Sequence, residues 1–183
     1  MAYSFQTFSV GQVLTAAQVN QVEVNVRDHQ HGVAGVSSIG QIFTGTSTND
    51  DAAAGKIGEY IESAVADNAV SLTTGTAKTV TSISLTAGDW EVSGCLLTAG
   101  AAGTTVAYIA SGVSTTNNTI GAANTYTMLP FNSETVFIVA APNILIPTVR
   151  LSLAATTTVY LIAQAGFAVS TMTAGGRISA RRV

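Results

Sequence analysis

From residue 57 to the C-terminus, apolar and polar residues alternate in short runs, and turn residues punctuate them. That period of two is the signature of half-buried β-strands. In Trp90-Glu91-Val92-Ser93-Gly94-Cys95-Leu96 the intervening positions are polar or small, so Trp90, Val92 and Leu96 are predicted to face a core. Val149, Leu151 and Leu153 repeat the pattern, with Arg150 and Ser152 between them. The same reading predicts strands over Ile57–Val65, Val70–Thr74, Thr79–Leu85, Trp90–Thr98, Thr104–Ser111, Tyr126–Phe131, Thr135–Ala141, Ile144–Leu153, Val159–Ser170 and Arg177–Val183. Ile42–Thr46 is a further candidate. Turns are expected at Asp67-Asn68, Ala87-Gly88-Asp89, Ala99–Gly103, Ser114–Asn124, Asn132-Ser133, Pro142-Asn143 and Ala174-Gly175-Gly176. Many short strands at this spacing imply an all-β sandwich or barrel. No fixed-period repeat is visible, which argues against a solenoid.

The N-terminal stretch breaks this pattern. Met1–Val13 reads as extended, with Phe5 and Phe8 as apolar anchors and Gly11 as a turn. Thr15 and Gln18 then fit a capping box, which opens a helix over about residues 15–29. Val19, Val22, Val26 and His29 fall three, four and three apart, on one helical stripe. Val22, Val24 and Val26 also alternate, so a strand competes; the cap and the lack of turn residues favour the helix. A helix of roughly 14 residues is marginal alone in water, and its stability must come from packing against partners. The stripe is therefore expected to gather copies of the chain. The organisation this predicts is an N-terminal docking and oligomerisation arm over 1–40, followed by a β domain over 41–183.

Charge changes the picture. Only 9% of the 183 residues are charged, against about 25% in ordinary soluble domains. No apolar run reaches the roughly 20 residues a membrane helix needs, so membrane insertion is not expected. A chain so poor in charge is expected to hide surface in stable contacts, as obligate oligomers do. Net charge is −3, which gives no basic field for nucleic acid. The opening MAYSFQTF lacks the regions of a signal peptide, so folding in a cytoplasm is expected. Cys95 is the one cysteine and reads as a small buried hydrophobe, not a nucleophile.

Candidate chemistry is sparse. Asn49-Asp50-Asp51 clusters oxygen ligands, but the spacing is not that of an EF-hand and an acidic turn is ordinarily just solvated. Asp67, Asp89, Glu59, Glu62, Glu91 and Glu134 are scattered, and glycoside cleavage requires two opposed across a cleft. Glu59 and Glu62 read as a wetted strand face. Neither a nucleophile elbow nor a phosphate-binding loop is present, so no catalytic residue and no enzyme activity is expected. Arg177, Arg181 and Arg182 crowd the last seven positions. They are expected either to solvate an edge strand or to pair with a neighbouring subunit at an interface. Tyr126 and Phe131, beside the long Ser114–Asn124 loop, are the one hint of an aromatic recognition surface.

Two stretches resemble a known class. FQTFSVGQVLTAAQVNQVEVNVRDHQHG is similar to the N-terminal region of small structural proteins of tailed bacteriophages, through Phe5, Gly11, Leu14, Thr15, Ala16, Asn20, Asn25, Asp28, His29, His31 and Gly32. VYLIAQAGFAVSTMTAGGRISARRV resembles the final strands of phage fibre-tip and decoration domains. The resemblance implies a virion location and a trimeric, antiparallel β-sandwich of jelly-roll type, related in shape to the tumour necrosis factor fold. It also implies a short fibre or surface appendage anchored to other virion proteins through its arm. The alternatives are a capsid decoration (cement) protein and a module recognising a host surface glycan or receptor.

No cofactor is expected from one chain alone, because His29 and His31 are only two imidazoles. Three copies around an axis would offer six, and the fibre likeness implies that such H-x-H motifs hold a transition metal between subunits. The plainer reading makes His29 the last seam residue, hydrogen-bonded to Asp28 or a carbonyl, with His31 exposed. Anomalous scattering at His29 and His31 in the purified oligomer is the outcome the metal reading predicts. An assembly free of bound metal and indifferent to strong chelation contradicts it.

Overall fold

The computed structural model describes residues 51–131 and 143–183, together with 11, 13, 15–17 and 19–20. By contact the chain divides into two compact units, Met1–Ser47 and Thr48–Val183. In the first, Ala16, Ala17, Val19 and Asn20 are helical, and the Val19 N–H donates to the Thr15 carbonyl at 3.1 Å, one α-helical turn. The rest of the expected helix and the Ile42–Thr46 strand lie outside the described residues, as does Thr135–Ala141.

Among its described residues the second unit contains eight antiparallel strands: β1 (Tyr60–Ser71), β2 (Lys78–Leu85), β3 (Gly88–Gly100), β4 (Thr105–Ser114), β5 (Tyr126–Pro130), β6 (Ile144–Leu153), β7 (Thr157–Ala168) and β8 (Met172–Arg182). They form two four-stranded sheets, ordered β1-β8-β3-β6 and β2-β7-β4-β5. Successive strands alternate between the sheets, except for the β4–β5 hairpin. This is the eight-stranded, double-Greek-key order of a jelly roll. Between the sheets lie Leu85, Trp90, Leu96, Ile109, Leu161 and Ile178, all fully buried. Each such side chain contributes roughly 1.5–3 kcal/mol through removal from water.

Strict alternation fails where the strands bulge, and the bulges keep the right residues inside. In β2 the register against β7 shifts between Thr79 and Thr81, so Val80 and Ile83 are both buried although three apart. Against β3, β6 shifts between Ile146 and Val149, which turns Ile144, Ile146, Val149 and Leu151 to one side. Pro147, with no N–H to give, sits in that irregular stretch of an edge strand.

The largest bulge corrects two expected turns. Asp67-Asn68 does not end a strand: β1 pairs with β8 up to Val65, loops out, and resumes at Val70. Ala174-Gly175-Gly176 does not turn either but lies inside β8, beneath that bulge. A Cβ at Gly175 would run into the Ala66 carbonyl, so the glycine serves close backbone approach, which the sequence alone cannot distinguish from a turn. The expected C-terminal edge strand is corrected as well. β8 lies inside its sheet, paired with β1 on one side and β3 on the other.

One end of the sandwich carries the short β2–β3 connection, the β4–β5 loop and the point where the chain joins β1. That join is clasped by the C-terminus. The Arg182 N–H donates to the Glu59 carbonyl at 2.9 Å, and the Gly58 N–H to the Arg182 carbonyl at 3.0 Å. The Glu59 carboxylate accepts from Arg182 Nε and from the Gly55 N–H, both at 2.8 Å. Arg182 also donates to the Ala87 carbonyl and the Thr86 hydroxyl, and its guanidinium lies 4.2 Å from the centre of the Trp90 ring. Gly88, at φ +130°, leaves room for it, since a Cβ there would meet the guanidinium. Glu59 is thus buried and paired, not part of a wetted face.

The Arg182 hydrogen bond, and next the Gly55 N–H, hold the Glu59 carboxyl below its ordinary pKa against the opposing effect of burial. Because the folded state lowers this pKa, the clasp stabilises above the unfolded value of about 4.3 and is lost as pH falls through the folded one. At pH 7, Glu59→Gln should cost on the order of 3 kcal/mol, since it leaves Arg182 buried without its counter-charge. Thermal unfolding followed from pH 7 to pH 3 should show the gap between the two proteins closing in acid. Equal stability at pH 7, or a gap independent of pH, would contradict the clasp.

Candidate functional site

The two sheets differ most in charge. The strands of the β1-β8-β3-β6 sheet carry Glu62, Asp67, Asp89, Glu91, Arg150, Arg177, Arg181 and Arg182. The strands of the β2-β7-β4-β5 sheet carry Lys78 alone. On the first sheet Glu91 stands between Arg181 and Arg150 in register, Arg177 pairs with Glu62 at 3.6 Å, and Arg150 pairs with Asp89 at 3.3 Å. These exposed pairs are worth little for stability, about 0–1 kcal/mol each. They make that face ionic and well solvated.

The second sheet turns aromatic and neutral groups away from the core, and part of that side is covered within the chain, since Ile162 and Ala110 on it are fully buried. Along β7, Val159, Leu161, Ala163 and Ala165 are buried in the core, which turns Tyr160 and Gln164 to the other side. Tyr108, opposite Gly166 and Pro130, joins them from β4, and Tyr126 and Met128 join from β5. The Tyr108 ring lies across the backbone of Gly166. Gln164 Nε2 donates to the Gly75 carbonyl at 2.8 Å and more weakly to the Tyr108 hydroxyl at 3.4 Å. The three tyrosines are half-buried and Met128 is 49% exposed. Tyr126 was legible as a candidate, and Tyr108 and Tyr160 were not. The signal that would have found them is their phase relative to the buried valines and leucines of their own strands.

A third feature lies beside the β4–β5 loop, a cleft of about 310 Å³. Val113 of β4 and Val149 and Leu151 of β6 supply an apolar wall, and Ser114, Thr115, Thr116, Thr119 and Thr125 supply hydroxyls. The ladder of β5 with β4 stops at Gly112, and the cleft lies beyond it, between the end of β4, the β4–β5 loop and β6 of the other sheet. The loop is fastened to β2. Thr79 donates through its N–H to Asn118 Oδ1 at 2.8 Å and through its hydroxyl to Asn117 Oδ1 at 2.6 Å, while the Asn118 N–H donates to the Thr79 hydroxyl at 3.1 Å. Asn118 and Asn124 adopt positive φ, which asparagine tolerates better than most residues.

The other expected site residues are placed as follows. His29, His31, Val22 and Val26 lie outside the described residues, as do Asn49, Asp50 and Glu134. Val19 is helical and 48% exposed. Asp51 is exposed. Arg177 and Arg181 are exposed on the ionic face, but Arg182 is buried in the clasp, so its ion pair is internal to the chain and not with a neighbour. Cys95 is half-buried on β3, between Arg177 and Leu145 in register. Phe131 is half-buried. Among the described residues, no group of three or more His, Cys, Asp or Glu side chains is placed to hold a metal, and no helix is long and apolar enough to cross a membrane.

No protein-family model matches the chain, and no curated protein matches it in sequence. Among solved structures, a chain from that of the Gx strain of infectious bursal disease virus is similar at 12% identity and a TM-score of 0.34. The match covers 79% of this chain and 36% of that one, and a likeness of that size carries no inference about fold or function.

Proposed function

We propose that the protein is a structural, non-enzymatic component of a bacteriophage virion. It is a homotrimeric surface appendage or short fibre, anchored to the particle by its N-terminal arm and projecting its jelly-roll knob. The sequence likeness of both ends of the chain to such proteins supports the virion reading. The observation that carries the assembly is the charge asymmetry. A sheet with Lys78 as its single charged residue, faced by Tyr108, Tyr126, Tyr160 and Met128, has the composition of an interface core, where charge is depleted and tyrosine and methionine are enriched. Sister copies cover that face, and the ionic sheet keeps the assembly in solution. In the arm, Val19, Val22, Val26 and His29 line the seam. The small size of the knob favours a second reading, a capsid decoration protein, which copy number per particle separates from an appendage.

Native mass measurement of the full chain should give three copies. Met128→Lys combined with Tyr126→Lys should shift the assembly toward smaller species, because two buried charges without partners are costly. Arg150→Ala on the ionic face should leave it unchanged. A monomeric wild-type chain, or equal sensitivity of the two faces, would contradict the proposal.

A further inference from the structure

The cleft beside the β4–β5 loop has a chemistry of its own, and it depends on neither the trimer nor the virion reading. Among the described residues that line it, none has an ionisable side chain. A charged ligand would lose hydration there with nothing to compensate it. A wholly apolar ligand would leave the protons of Ser114, Thr115 and Thr116 without partners, while the Thr119 and Thr125 hydroxyls already donate to the Asn117 and Ala122 carbonyls. What suits both walls is a molecule with C–H groups on one side and hydroxyls around its rim. We infer that this cleft binds a neutral carbohydrate, with the sugar ring against Val113, Val149 and Leu151 and its hydroxyls toward Ser114, Thr115, Thr116, Thr119 and Thr125.

Three observations carry this. The volume of about 310 Å³ is at the lower end of the roughly 300–1,000 Å³ typical of small-molecule sites, which suits a short glycan. The hydroxyl wall is fixed before any ligand arrives: Thr79 ties Asn117 and Asn118 to β2, the Thr116 N–H donates to the Ser114 hydroxyl at 3.0 Å, and the Thr125 hydroxyl donates to the Ala122 carbonyl at 2.7 Å. A wall so held loses little conformational freedom on binding. Lastly, serine and threonine hydroxyls both donate and accept, so they can meet either partner of a sugar hydroxyl. Ser114 Oγ, already accepting from Thr116, keeps its own proton for a ligand oxygen.

The test is amide-detected NMR of the full chain titrated with glucose, galactose, rhamnose and N-acetylglucosamine and their short oligomers, with glucuronic acid and glucosamine as charged comparisons. Saturable shifts confined to residues 113–125 and 149–151 are expected for at least one neutral sugar, with the charged comparisons weaker. Leu151→Trp, which fills the cleft, should weaken binding at least about tenfold. Thr116→Val with Thr119→Val, which keeps volume and removes hydroxyls, should do the same if the fold is retained by the unchanged spectrum elsewhere. Absence of shifts across the neutral panel would overturn the inference. So would shifts that map to Tyr108, Tyr126 and Tyr160, or equal binding of charged sugars. None of these outcomes bears on the copy number of the assembly, which stands or falls separately.

Discussion

The sandwich depends on its last strand being inside it. β8 pairs with β1, the first strand, and with β3, so the β1-β8-β3-β6 sheet cannot close until the C-terminal residues are in place. Arg182 then locks the closure. Its side chain joins Glu59, 123 positions earlier, with Trp90, Thr86 and Ala87, and so ties the start of β1, the start of β3 and the end of β8 at one point. The desolvation of two opposite charges is tolerated because the geometry is close and the remaining donors find oxygen acceptors. A topology this non-local implies slow folding relative to helical domains of similar size.

Among the described residues Glu59 and Arg182 form the one buried ion pair, and the other charges of the strands lie at the surface, distributed unevenly. The β1-β8-β3-β6 sheet turns alternating arginines and carboxylates outward, while the β2-β7-β4-β5 sheet turns out tyrosine, methionine and glutamine. Apolar patches of appreciable size on soluble proteins ordinarily mark contact surfaces. That asymmetry gives a physical basis to the expectation, drawn from composition, that copies of the chain cover one another. It also leaves the hydroxyl-walled cleft, beside the β4–β5 loop, as a separate feature with chemistry unlike either face.

Much of the fold was legible in the pattern of apolar positions. β2 and β6 lie within a residue of their expected bounds, Trp90, Val92 and Leu96 are fully buried, and the sandwich is the expected one. What failed did so for identifiable reasons. Asp67-Asn68 and Gly175-Gly176 have turn chemistry, yet they form the two sides of one bulged ladder, and local sequence cannot say that the chain resumes its pairing at Val70. Glu59 and Arg182 carry no local sign of being partners, so sequence alone suggests a wetted strand face for the one, and edge-strand solvation or pairing with a neighbouring subunit for the other. Tyr108 and Tyr160 were hidden because outward positions of a strand usually need no explanation. The cleft was beyond reach of sequence, since its lining joins β4, the β4–β5 loop and β6 from two different sheets.

Amide hydrogen exchange tests the placement of β8 most directly. If the strand is enclosed by β1 and β3 and clasped at Arg182, the paired amides of Arg177–Arg182 should exchange as slowly as those at Leu161–Ala163 in the middle of the second sheet, through global unfolding. Rapid exchange across Arg177–Arg182, with Leu161–Ala163 still protected, would show an unclasped strand at a sheet edge and contradict the account.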